Sequence, residues 1–507
     1  MTIHRPILAR LLKNPGRIAV VDDRRSYKAY EILAASFHAA SVIKKACKTP
    51  NVGLLIPTSG AFPITALGAW SVGKTIVPLN YLLKPAELQY VIDDCETDTI
   101  VASKLMLDFL GEKPKVKNLI LLEDIDFKKP PIPRWPAGAA DNDTAALVYT
   151  SGTSGKPKGV MLSHRAIREN ACQGVNHFNF RSGEDVMCGV LPQFHSYGLT
   201  QLTITPLLHG MKVVYTARFV PKKVMSLVQE HGATILVGIP TMYNALARLK
   251  GGGPETVKTL RLAVSGSEPL PQAVFDLFES KYGMPIVEGY GMTEMSPATH
   301  ASLPETNKRG TVGAPLPKIE QRIIDPATER ELPPNQDGEV RLKGPNLMTG
   351  YFKLDEQTKA AIDDEGFYRT GDMGRIDDDG MLSITGRIKE MMIIGGENVF
   401  PREIEEVLNR HPSINASGVI GQQDDMRGEV PVAFVELCPE LKEAEGDEAF
   451  DERALIAYCR EHLAGYKCPR SIFLLDELPR NPTGKILRKE LKPLLEARTS
   501  EASSQPT

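Results

Sequence analysis

The sequence is poor in cysteine and tryptophan, with 7 and 2 residues among 507. None of the cysteines forms a C-x-x-C pair, and their spacing fits neither a metal site nor a secreted disulfide framework. We therefore expect reduced thiols, mostly buried as small hydrophobic side chains in a cytoplasmic protein.

Long apolar runs and an excess of one charge are also missing. No uninterrupted apolar run approaches the length that spans a bilayer, and residues 1–5 lack the apolar core of a secretion signal. The formal net charge is only −3, so the chain as a whole offers no basic surface for nucleic acid. These absences favour a cytoplasmic protein with small-molecule partners, no nucleic-acid partner and at most peripheral membrane contact.

The length and the order of the apolar segments predict more than one domain, since 507 residues exceed a single compact core. Strand-like and helix-like segments alternate between residues 17 and 300, which is typical of parallel sheets covered by helices. Residues 311–386 contain short strands between Gly, Pro and Asp turns, with a tight hairpin turn predicted at Asp377-Asp-Asp-Gly380.

The predicted fold class is therefore α/β. A large N-terminal domain of α/β subdomains plus a β subdomain would cover residues 1–388. A small α+β C-terminal domain would follow at 389–496. Residues 497–507 are polar and rich in Ser and Thr, and we expect them to be disordered.

A run of small hydroxyl residues, glycines and lysines follows a predicted strand at 145–149. It reads Tyr149-Thr-Ser-Gly-Thr-Ser-Gly-Lys-Pro-Lys-Gly-Val160. Glycines let backbone N–H groups approach an anion, hydroxyls donate to phosphate oxygens, and lysine adds positive charge. The run predicts a phosphate-binding loop, although a flexible Gly/Ser linker is the simpler alternative. It is not a Walker A loop, because Pro157 stands where Ser or Thr is required.

Other candidate segments also follow predicted strands, at 193–198, 238–240, 265–269 and 289–294. Because ligands in open α/β sheets lie beyond the carboxyl ends of strands, we expect these segments and 149–158 to converge on one crevice. In the last of them, Tyr290 could stack on a purine, and Glu294 offers the hard oxygen that suits Mg²⁺. A surface cap or ion pair explains Glu294 equally well when it is considered alone.

Three further residues are weak signals in isolation. Asp372 follows a glycine in the manner of acidic groups that hold ribose hydroxyls, but Gly-Asp turns are common. Lys485 projects from a glycine-bearing loop and could reach a developing negative charge, although a solvated lysine is the simpler interpretation. His195, between Phe194 and Tyr197, fits a core histidine better than an acid–base catalyst.

Taken together and in this order, segments 150–159, 289–294, 368–372, 386–390 and 482–485 resemble the adenylate-forming enzymes. These are the acyl-CoA synthetases, the luciferases and the adenylation domains of peptide synthetases, and the resemblance covers residues 10–495. It implies a reaction in two steps. A carboxylate attacks the α-phosphate of ATP, with Mg²⁺, to give an acyl-adenylate and pyrophosphate; a thiol, usually coenzyme A, then takes the acyl group.

The resemblance also implies how the nucleotide is held. The residues that would hold the β- and γ-phosphates are Thr150, Ser151, Gly152, Thr153, Ser154, Gly155 and Lys158. Thr153 and Glu294 would bind Mg²⁺, and Thr293 would lie near the α-phosphate. The residues that would flank the adenine are Gly266, Ser267, Glu268, Glu288, Gly289 and Tyr290. Asp372 and Arg387 would hold the ribose.

The remaining roles implied by the resemblance concern movement and gating. Lys485 would contact the substrate carboxylate and the α-phosphate, where negative charge grows in the first transition state. Lys389 would be the hinge of a C-terminal domain that turns between two poses, the second presenting Gly395 and Gly396 to the thiol tunnel. His195 would stand between the acyl pocket and that tunnel.

The segments predicted to line the substrate pocket contain no acidic residue and no lysine or arginine, and this indicates the class of substrate. Peptide-synthetase domains carry an Asp near residue 195, whereas Gln193-Phe-His-Ser-Tyr-Gly has no acid, and segments 237–240, 265–266 and 289–292 carry no charge either. An apolar acyl chain fits best, since each buried CH₂ contributes about 0.8 kcal/mol. We therefore expect a medium- or long-chain fatty acyl-CoA synthetase.

Several alternatives stay open. The acceptor could be acyl carrier protein, or the substrate an aryl acid. The chain could also be an adenylate-binding module without catalysis, or a phosphate-loop NTPase, which would release ADP or orthophosphate instead of AMP and pyrophosphate. Chain length and oligomeric state do not follow from the sequence.

Overall fold

The computed structural model describes residues 2–150, 156–424, 426–480 and 484–504. The chain divides into two compact units. The first consists of Met1–Ser267, Phe278–Gln321 and Leu342–Tyr368, and the second of Glu268–Leu277, Arg322–Arg341 and Arg369–Thr507.

The described residues form helices and strands in the alternating order that the sequence predicts. The helices are α1 (His4–Lys13), α2 (Ala29–Ala46), α3 (Ala61–Ser71), α4 (Pro85–Asp94), α5 (Lys104–Leu110), α6 (His164–His177), α7 (Ser196–Leu199), α8 (Thr205–His209), α9 (Pro221–His231), α10 (Pro240–Ala247), α11 (Gln272–Tyr282), α12 (Asp355–Ala361), α13 (Pro401–Leu408), α14 (Pro439–Glu445), α15 (Glu452–His462) and α16 (Arg488–Ser504). The strands are β1 (Ile18–Val21), β2 (Ser26–Lys28), β3 (Asn51–Leu55), β4 (Thr75–Pro78), β5 (Thr99–Ala102), β6 (Asn118–Leu121), β7 (Thr144–Thr150), β8 (Lys158–Ser163), β9 (Val186–Gly189), β10 (Lys212–Tyr215), β11 (Ile235–Gly238), β12 (Leu262–Ser265), β13 (Val287–Gly291), β14 (Ala298–Ala301), β15 (Ala314–Pro315), β16 (Glu320–Ile324), β17 (Gly338–Lys343), β18 (Gly350–Tyr351), β19 (Tyr368–Ile376), β20 (Leu382–Arg387), β21 (Met392–Ile394), β22 (Glu397–Val399), β23 (Ile414–Asp424), β24 (Gly428–Leu437) and β25 (Ser471–Leu474). Within this described part, none of the helices is both long and apolar enough to cross a bilayer.

Two largely parallel sheets form the core of the first unit. In the described residues their strand orders are β18-β8-β7-β4-β3-β5-β6 and β15-β14-β13-β12-β11-β9-β10-β1-β2. Strands β3, β5, β11 and β12 are buried along their whole length, as expected for parallel strands covered by helices on both faces. The predicted α/β fold class is confirmed.

The second unit contains the C-terminal sheet. Strands β23 and β24 form a long antiparallel hairpin, β25 pairs in parallel with β24, and the short hairpin β21–β22 joins the same sheet. Helices α13 and α15 cover one face, where Ile404, Leu408, Leu455 and Cys459 are buried. This is the α+β pattern that the sequence predicts after residue 388.

The predicted turn at 377–380 is confirmed. Strands β19 and β20 are antiparallel neighbours, and the chain reverses between them. The Gly380 N–H donates to the Asp377 carbonyl oxygen (2.9 Å), and the Asp377 carboxylate accepts from the Met381 N–H (2.8 Å). An Asp side chain that bonds to the backbone ahead of it is what stabilises such turns.

Some element boundaries differ from the sequence pattern. Residues 289–291 lie inside β13, and residues 368–372 lie inside β19. The sequence pattern suggested turns at these places because both segments contain glycine, which strands also tolerate. Helix α16 continues to Ser504, so residues 497–504 are helical where we predicted disorder. Alanine, glutamate and arginine are good helix formers, which polar composition alone conceals. Residues 505–507 lie outside the described residues.

A tight reversal precedes α7. The N-cap of α7 is His195, whose Nδ1 accepts a hydrogen bond from the Tyr197 N–H (3.3 Å). Gly198 approaches the preceding backbone so closely that a Cβ there would stand 2.0 Å from the Pro192 carbonyl oxygen. Only glycine fits at this position, and the segment that carries His195 depends on it.

We predict that Gly198→Ala lowers the free energy of unfolding by about 1–3 kcal/mol, because the added methyl forces the backbone of 192–198 apart. Thermal and urea unfolding would measure the change. The matched control is Gly138→Ala, where a Cβ meets nothing within 4 Å. Equal stability of the two variants would contradict the assignment.

Candidate active site

The predicted phosphate loop connects two antiparallel strands. Strand β7 ends at Thr150 and β8 begins at Lys158, and these two residues are partners across the hairpin. A strand–loop–strand hairpin differs from the Walker A arrangement, in which the loop leads into a helix, so the exclusion of a Walker A loop agrees with the fold. The predicted phosphate contacts of Ser151, Gly152, Thr153, Ser154 and Gly155, and the metal role of Thr153, lie outside the described residues.

Tyr351 lies between Lys158, which is predicted to bind phosphate, and Glu294, which is predicted to bind the metal. Its hydroxyl donates to the Glu294 carboxylate (2.9 Å) and lies 3.3 Å from the Tyr368 hydroxyl. The Lys158 Nζ stands 5.5 Å from the centre of the Tyr351 ring. Burial and the neighbouring Glu294 raise the pKa of Tyr351, so the phenol stays protonated and donates a hydrogen bond to Glu294. One buried tyrosine therefore contacts both the predicted phosphate lysine and the predicted metal ligand.

Glu294 fits the predicted role as a magnesium ligand. Among the described residues, only the Tyr351 hydroxyl donates a hydrogen bond to the Glu294 carboxylate, and a carboxylate can accept more than one. Mg²⁺ is usually held by one or two carboxylates together with substrate phosphates. The sequence analysis missed Tyr351. Its role follows from the short strand β18, which pairs Tyr351 with Val160 of the β7–β8 hairpin, called the phosphate hairpin below.

Four of the predicted segments do meet. Strands β9, β11, β12 and β13 are parallel neighbours, so their carboxyl ends lie at one edge of the sheet. The Thr293 hydroxyl lies 3.1 Å from the Ser196 hydroxyl, and the Gly266 N–H donates to the Gly238 carbonyl oxygen (3.2 Å). A Cβ on Gly266 would stand 3.1 Å from Tyr197. The described ends of segment 149–158 belong to β7 and β8, which are strands of the other sheet of this unit.

The residues predicted to flank the adenine have structural partners of their own. Glu288 is buried and forms an ion pair with Arg309 (2.5 Å), which the sequence analysis missed. The Tyr290 ring lies 6.0 Å from the ring of His300, and Ser267 is exposed with a φ of 71°. Burying a carboxylate requires such a partner, so Glu288 has a structural role whatever it contacts besides.

The second unit brings the predicted ribose residues together. Asp372 and Arg387 are partners on β19 and β20, and the Arg387 Nε lies 2.8 Å from the Asp372 Oδ1. Asp372 is buried, whereas the Arg387 side chain is partly exposed. The pairing fixes one carboxylate, whose oxygens are hydrogen-bond acceptors, and acceptors of this kind are what sugar hydroxyls require.

Lys485 lies within electrostatic range of the same group. Burial lowers the pKa of Lys485 to about 8, and the positive charge of Arg387 acts in the same direction. The carboxylates of Glu390, Asp372 and Glu268 oppose this shift. Burial in turn raises the pKa of Glu268, and the charge of Lys485 opposes that change. Lys485 is therefore a partly buried lysine among acids, not the solvated turn lysine of the simpler interpretation.

Lys389 and the glycine pair occupy turns of the second unit. Lys389 is exposed in a 3₁₀ turn, Ile388–Glu390, between β20 and β21. Gly395 and Gly396 form the two-residue connection of the β21–β22 hairpin, with φ values of 61° and 91°. Two successive positive φ values are what this class of hairpin turn requires, and glycine adopts them without steric cost.

Comparison with known proteins decides the family. The profile described as AMP-binding enzyme matches residues 9–352, and the profile of the AMP-binding enzyme C-terminal domain matches residues 403–485. The chain belongs to the AMP-binding enzymes. The resemblance that the ordered segments indicate is thereby confirmed, although the individual residue roles stay predictions.

Relatives of this AMP-binding enzyme extend over most of its length. The long-chain-fatty-acid–CoA ligase of Bacillus subtilis (strain 168) is 32% identical over 88% of this chain and 85% of its own length. The 4-coumarate–CoA ligase 3 of Oryza sativa subsp. japonica is 31% identical over 99% of this chain and 94% of its own length.

Solved structures match equally widely. ATP-bound MatB from Rhodopseudomonas palustris has a TM-score of 0.86 and 29% identity, covering 97% of this chain and 99% of MatB. The o-succinylbenzoate coenzyme A synthetase of Bacillus subtilis, in complex with ATP and magnesium ion, has a TM-score of 0.83 and 28% identity, covering 96% and 99%.

An arginine that the sequence analysis missed anchors the Lys485 segment of this AMP-binding enzyme. Arg488 makes two hydrogen bonds to the buried Glu405, Nε to Oε1 (2.9 Å) and Nη2 to Oε2 (2.5 Å), and a third to Glu390 (2.8 Å). Glu390 follows Lys389 directly, and Arg488 stands three residues after Lys485. One guanidinium therefore ties the Lys485 loop to the turn that holds Lys389, with the fork geometry that lysine lacks.

We predict that Arg488→Met lowers the free energy of unfolding by about 3–5 kcal/mol, because it leaves the buried Glu405 carboxylate without its countercharge. Replacing both residues by Met should recover most of this loss. Urea unfolding would measure both variants. Lys359→Met is the control, since its pair with Glu356 is exposed on both sides and should contribute about 0–1 kcal/mol. A loss below that of the control would contradict the anchoring role.

Proposed function

We propose that this AMP-binding enzyme is a medium- or long-chain fatty acid–CoA ligase. It is an AMP-forming acid–thiol ligase, and ligases of this kind use ATP, Mg²⁺ and coenzyme A. The observation that carries the fatty acid assignment is the edge formed by β9, β11 and β12. Val237, Ile239 and Val264 are buried there, and segments 237–240 and 265–267 contain no charged residue. A relative named for long-chain fatty acids supports it.

An aryl acid is the second candidate substrate. The relatives include 4-coumarate, feruloyl and 2-succinylbenzoate ligases at about the same identity as the fatty acid enzyme. Tyr197 lies against Gly266, where a flat ring and a glycine would also suit an aromatic substrate. Uncharged side chains accept both classes, so the choice between them requires measurement.

In the first step the phosphate hairpin would hold the β- and γ-phosphates. Lys158 supplies positive charge beside Tyr351, and Tyr351 orients the Glu294 carboxylate through its hydroxyl. Mg²⁺ bound at Glu294 would neutralise negative charge on the phosphates. The paired Asp372 and Arg387 would hold the ribose. These residues bind and orient the nucleotide and take no proton from it.

Lys485 would stabilise the charge that grows as the carboxylate attacks the α-phosphate. We also propose that residues 389–496 form a domain that turns at Lys389, so that one pose presents Lys485 and the other presents Gly395 and Gly396 to the thiol. A rotation of this kind separates two reactions that share one acyl group. His195 would gate the thiol path, and the location would be cytoplasmic.

We predict that Lys485→Ala slows adenylate formation at least 100-fold while leaving thioester formation from supplied acyl-adenylate nearly unchanged, because only the first step builds charge at this lysine. Gly395→Val should show the opposite selectivity, since its φ of 61° excludes a branched side chain. Pyrophosphate release and thioester formation are measured separately. The exposed neighbour Lys489→Ala is the control. Equal loss of both half-reactions in Lys485→Ala would refute the two-pose proposal.

We also predict an alkaline limit set by Lys485. Its pKa is lowered to about 8, so the ammonium is present below that pH and is lost above it, well before an ordinary lysine at 10.5. The kcat/KM of adenylate formation for ATP should therefore fall as the pH rises through about 8, since this ratio reports the free enzyme. Lys485→Arg should keep its charge and remove this fall, whatever its absolute rate. A wild-type profile that is flat to pH 10 would contradict the prediction.

The test of substrate class is pyrophosphate release with ATP and Mg²⁺ across aliphatic acids of increasing length and across benzoate and cinnamate types. Release that peaks at one aliphatic length and accelerates with coenzyme A would support the fatty acid ligase. A peak at cinnamate types would favour the aryl candidate. Release that coenzyme A leaves unchanged would indicate an acyl carrier protein as acceptor, and silence across the panel would count against catalysis with any of these acids.

A further inference from the structure

The smaller of the two sheets in the first unit contains a second place suited to a ligand. Its strands β4, β3, β5 and β6 are parallel and adjacent in that order. The chain therefore leaves β3 toward β4 on one side, and leaves β5 toward β6 on the other. In open α/β sheets the crevice between two such diverging loops, beyond the carboxyl ends of the strands, is where ligands bind.

A cavity of about 650 Å³ lies at this point. It is lined by residues 56–59 after β3, by Ser103 and Leu105 after β5, and by the first half of α2. Its volume falls within the range of small-molecule pockets, roughly 300–1,000 Å³. None of the described residues that line it has a role in the nucleotide, acid or thiol chemistry proposed above.

The rim of the cavity is apolar and aromatic. Tyr30, Leu105 and Phe127 line it with 50%, 50% and 45% of their surface exposed. The His38 ring packs edge-on against Phe127, with the ring centres 5.6 Å apart. Large apolar side chains gathered in a half-exposed ring mark a binding site, because covering them removes apolar surface from water. The body of the ligand would therefore be apolar.

The charges of the lining indicate which polar group such a ligand carries. Each acidic side chain of the lining is engaged by a neighbour: Asp22 with Tyr27 and Gly60, Asp23 with Lys223, Glu31 with Arg25, and Glu123 with the backbone of Lys104. Arg25 is occupied by Glu31 and by the Tyr27 ring. Arg24 also lines the cavity and is exposed, and no described residue forms an ion pair with it. Its guanidinium is available to an anionic group.

We propose that this cavity binds an amphipathic organic monoanion, with its apolar body between α2 and the loops after β3 and β5 and its anionic group at Arg24. A free fatty acid has this chemistry, and so does an aryl sulfonate. Because the cavity is separate from the residues of the proposed adenylate chemistry, ligand bound there need not compete with ATP.

The test uses the full-length protein and the probe 8-anilinonaphthalene-1-sulfonate, titrated by fluorescence without nucleotide. Ala35→Trp fills the cavity and should abolish one class of probe sites. Arg24→Gln should weaken that class about tenfold, through loss of a charge-assisted hydrogen bond. The control Arg165→Gln removes an exposed arginine outside the lining and should change nothing. Decanoate should displace the probe from this class, and decanol should do so far less.

Several outcomes would overturn the proposal. They are unchanged probe binding in both Ala35→Trp and Arg24→Gln, or equal displacement by decanoate and decanol. If the bulky tryptophan at position 35 prevents folding, Arg24→Gln still decides the test, because Arg24 is exposed and its replacement should not disturb the fold. Adenylate formation should be unaltered by Arg24→Gln at saturating acid. A parallel loss of activity and probe binding there would place the probe in the acyl site instead.

Discussion

Parallel pairing of β9, β11, β12 and β13 is the constraint on which the site in the first unit depends. It brings the ends of four strands, far apart in the chain, to one sheet edge, where Ser196 meets Thr293 and Gly266 meets Gly238. Glycine at 198 then allows the segment carrying His195 to fold back over Pro192. A set of weak local signals becomes one site because the sheet aligns them.

In the second unit the organising force is electrostatic. Lys485 is partly buried among three carboxylates and one arginine, and Arg488 joins Glu405 to Glu390 in the same region. A buried charge is tolerated only when it is paired and hydrogen-bonded, so each of these groups limits where the others can lie. That mutual dependence holds the lysine on a short loop in a defined place, which a surface lysine would not achieve.

The sequence predicted the fold class from strand order, and it predicted a crevice of five segments, of which four meet at one sheet edge. The family resemblance named Asp372 and Arg387 as ribose residues, whereas their ion pair with each other is a finding of the structure. The sequence could not predict Tyr351, Arg309 or Arg488. Each acts through contacts with residues distant in the chain, and a single tyrosine or arginine has no local signature. The same limit explains α16, whose polar residues suit helix and disorder equally well by composition.

The two sheets of the first unit also show why some ligand sites leave no trace in sequence. At the edge formed by β9, β11, β12 and β13 the candidate site consists largely of glycines and hydroxyl residues, and these form recognisable runs in the sequence. At the divergence of β3 and β5 the proposed amphipathic anion would need only space, apolar and aromatic walls and the guanidinium of Arg24. Alanines, isoleucines and a single arginine satisfy that need, and every soluble α/β protein contains them. The cavity therefore follows from topology, since the loops after β3 and β5 diverge and leave a crevice between them.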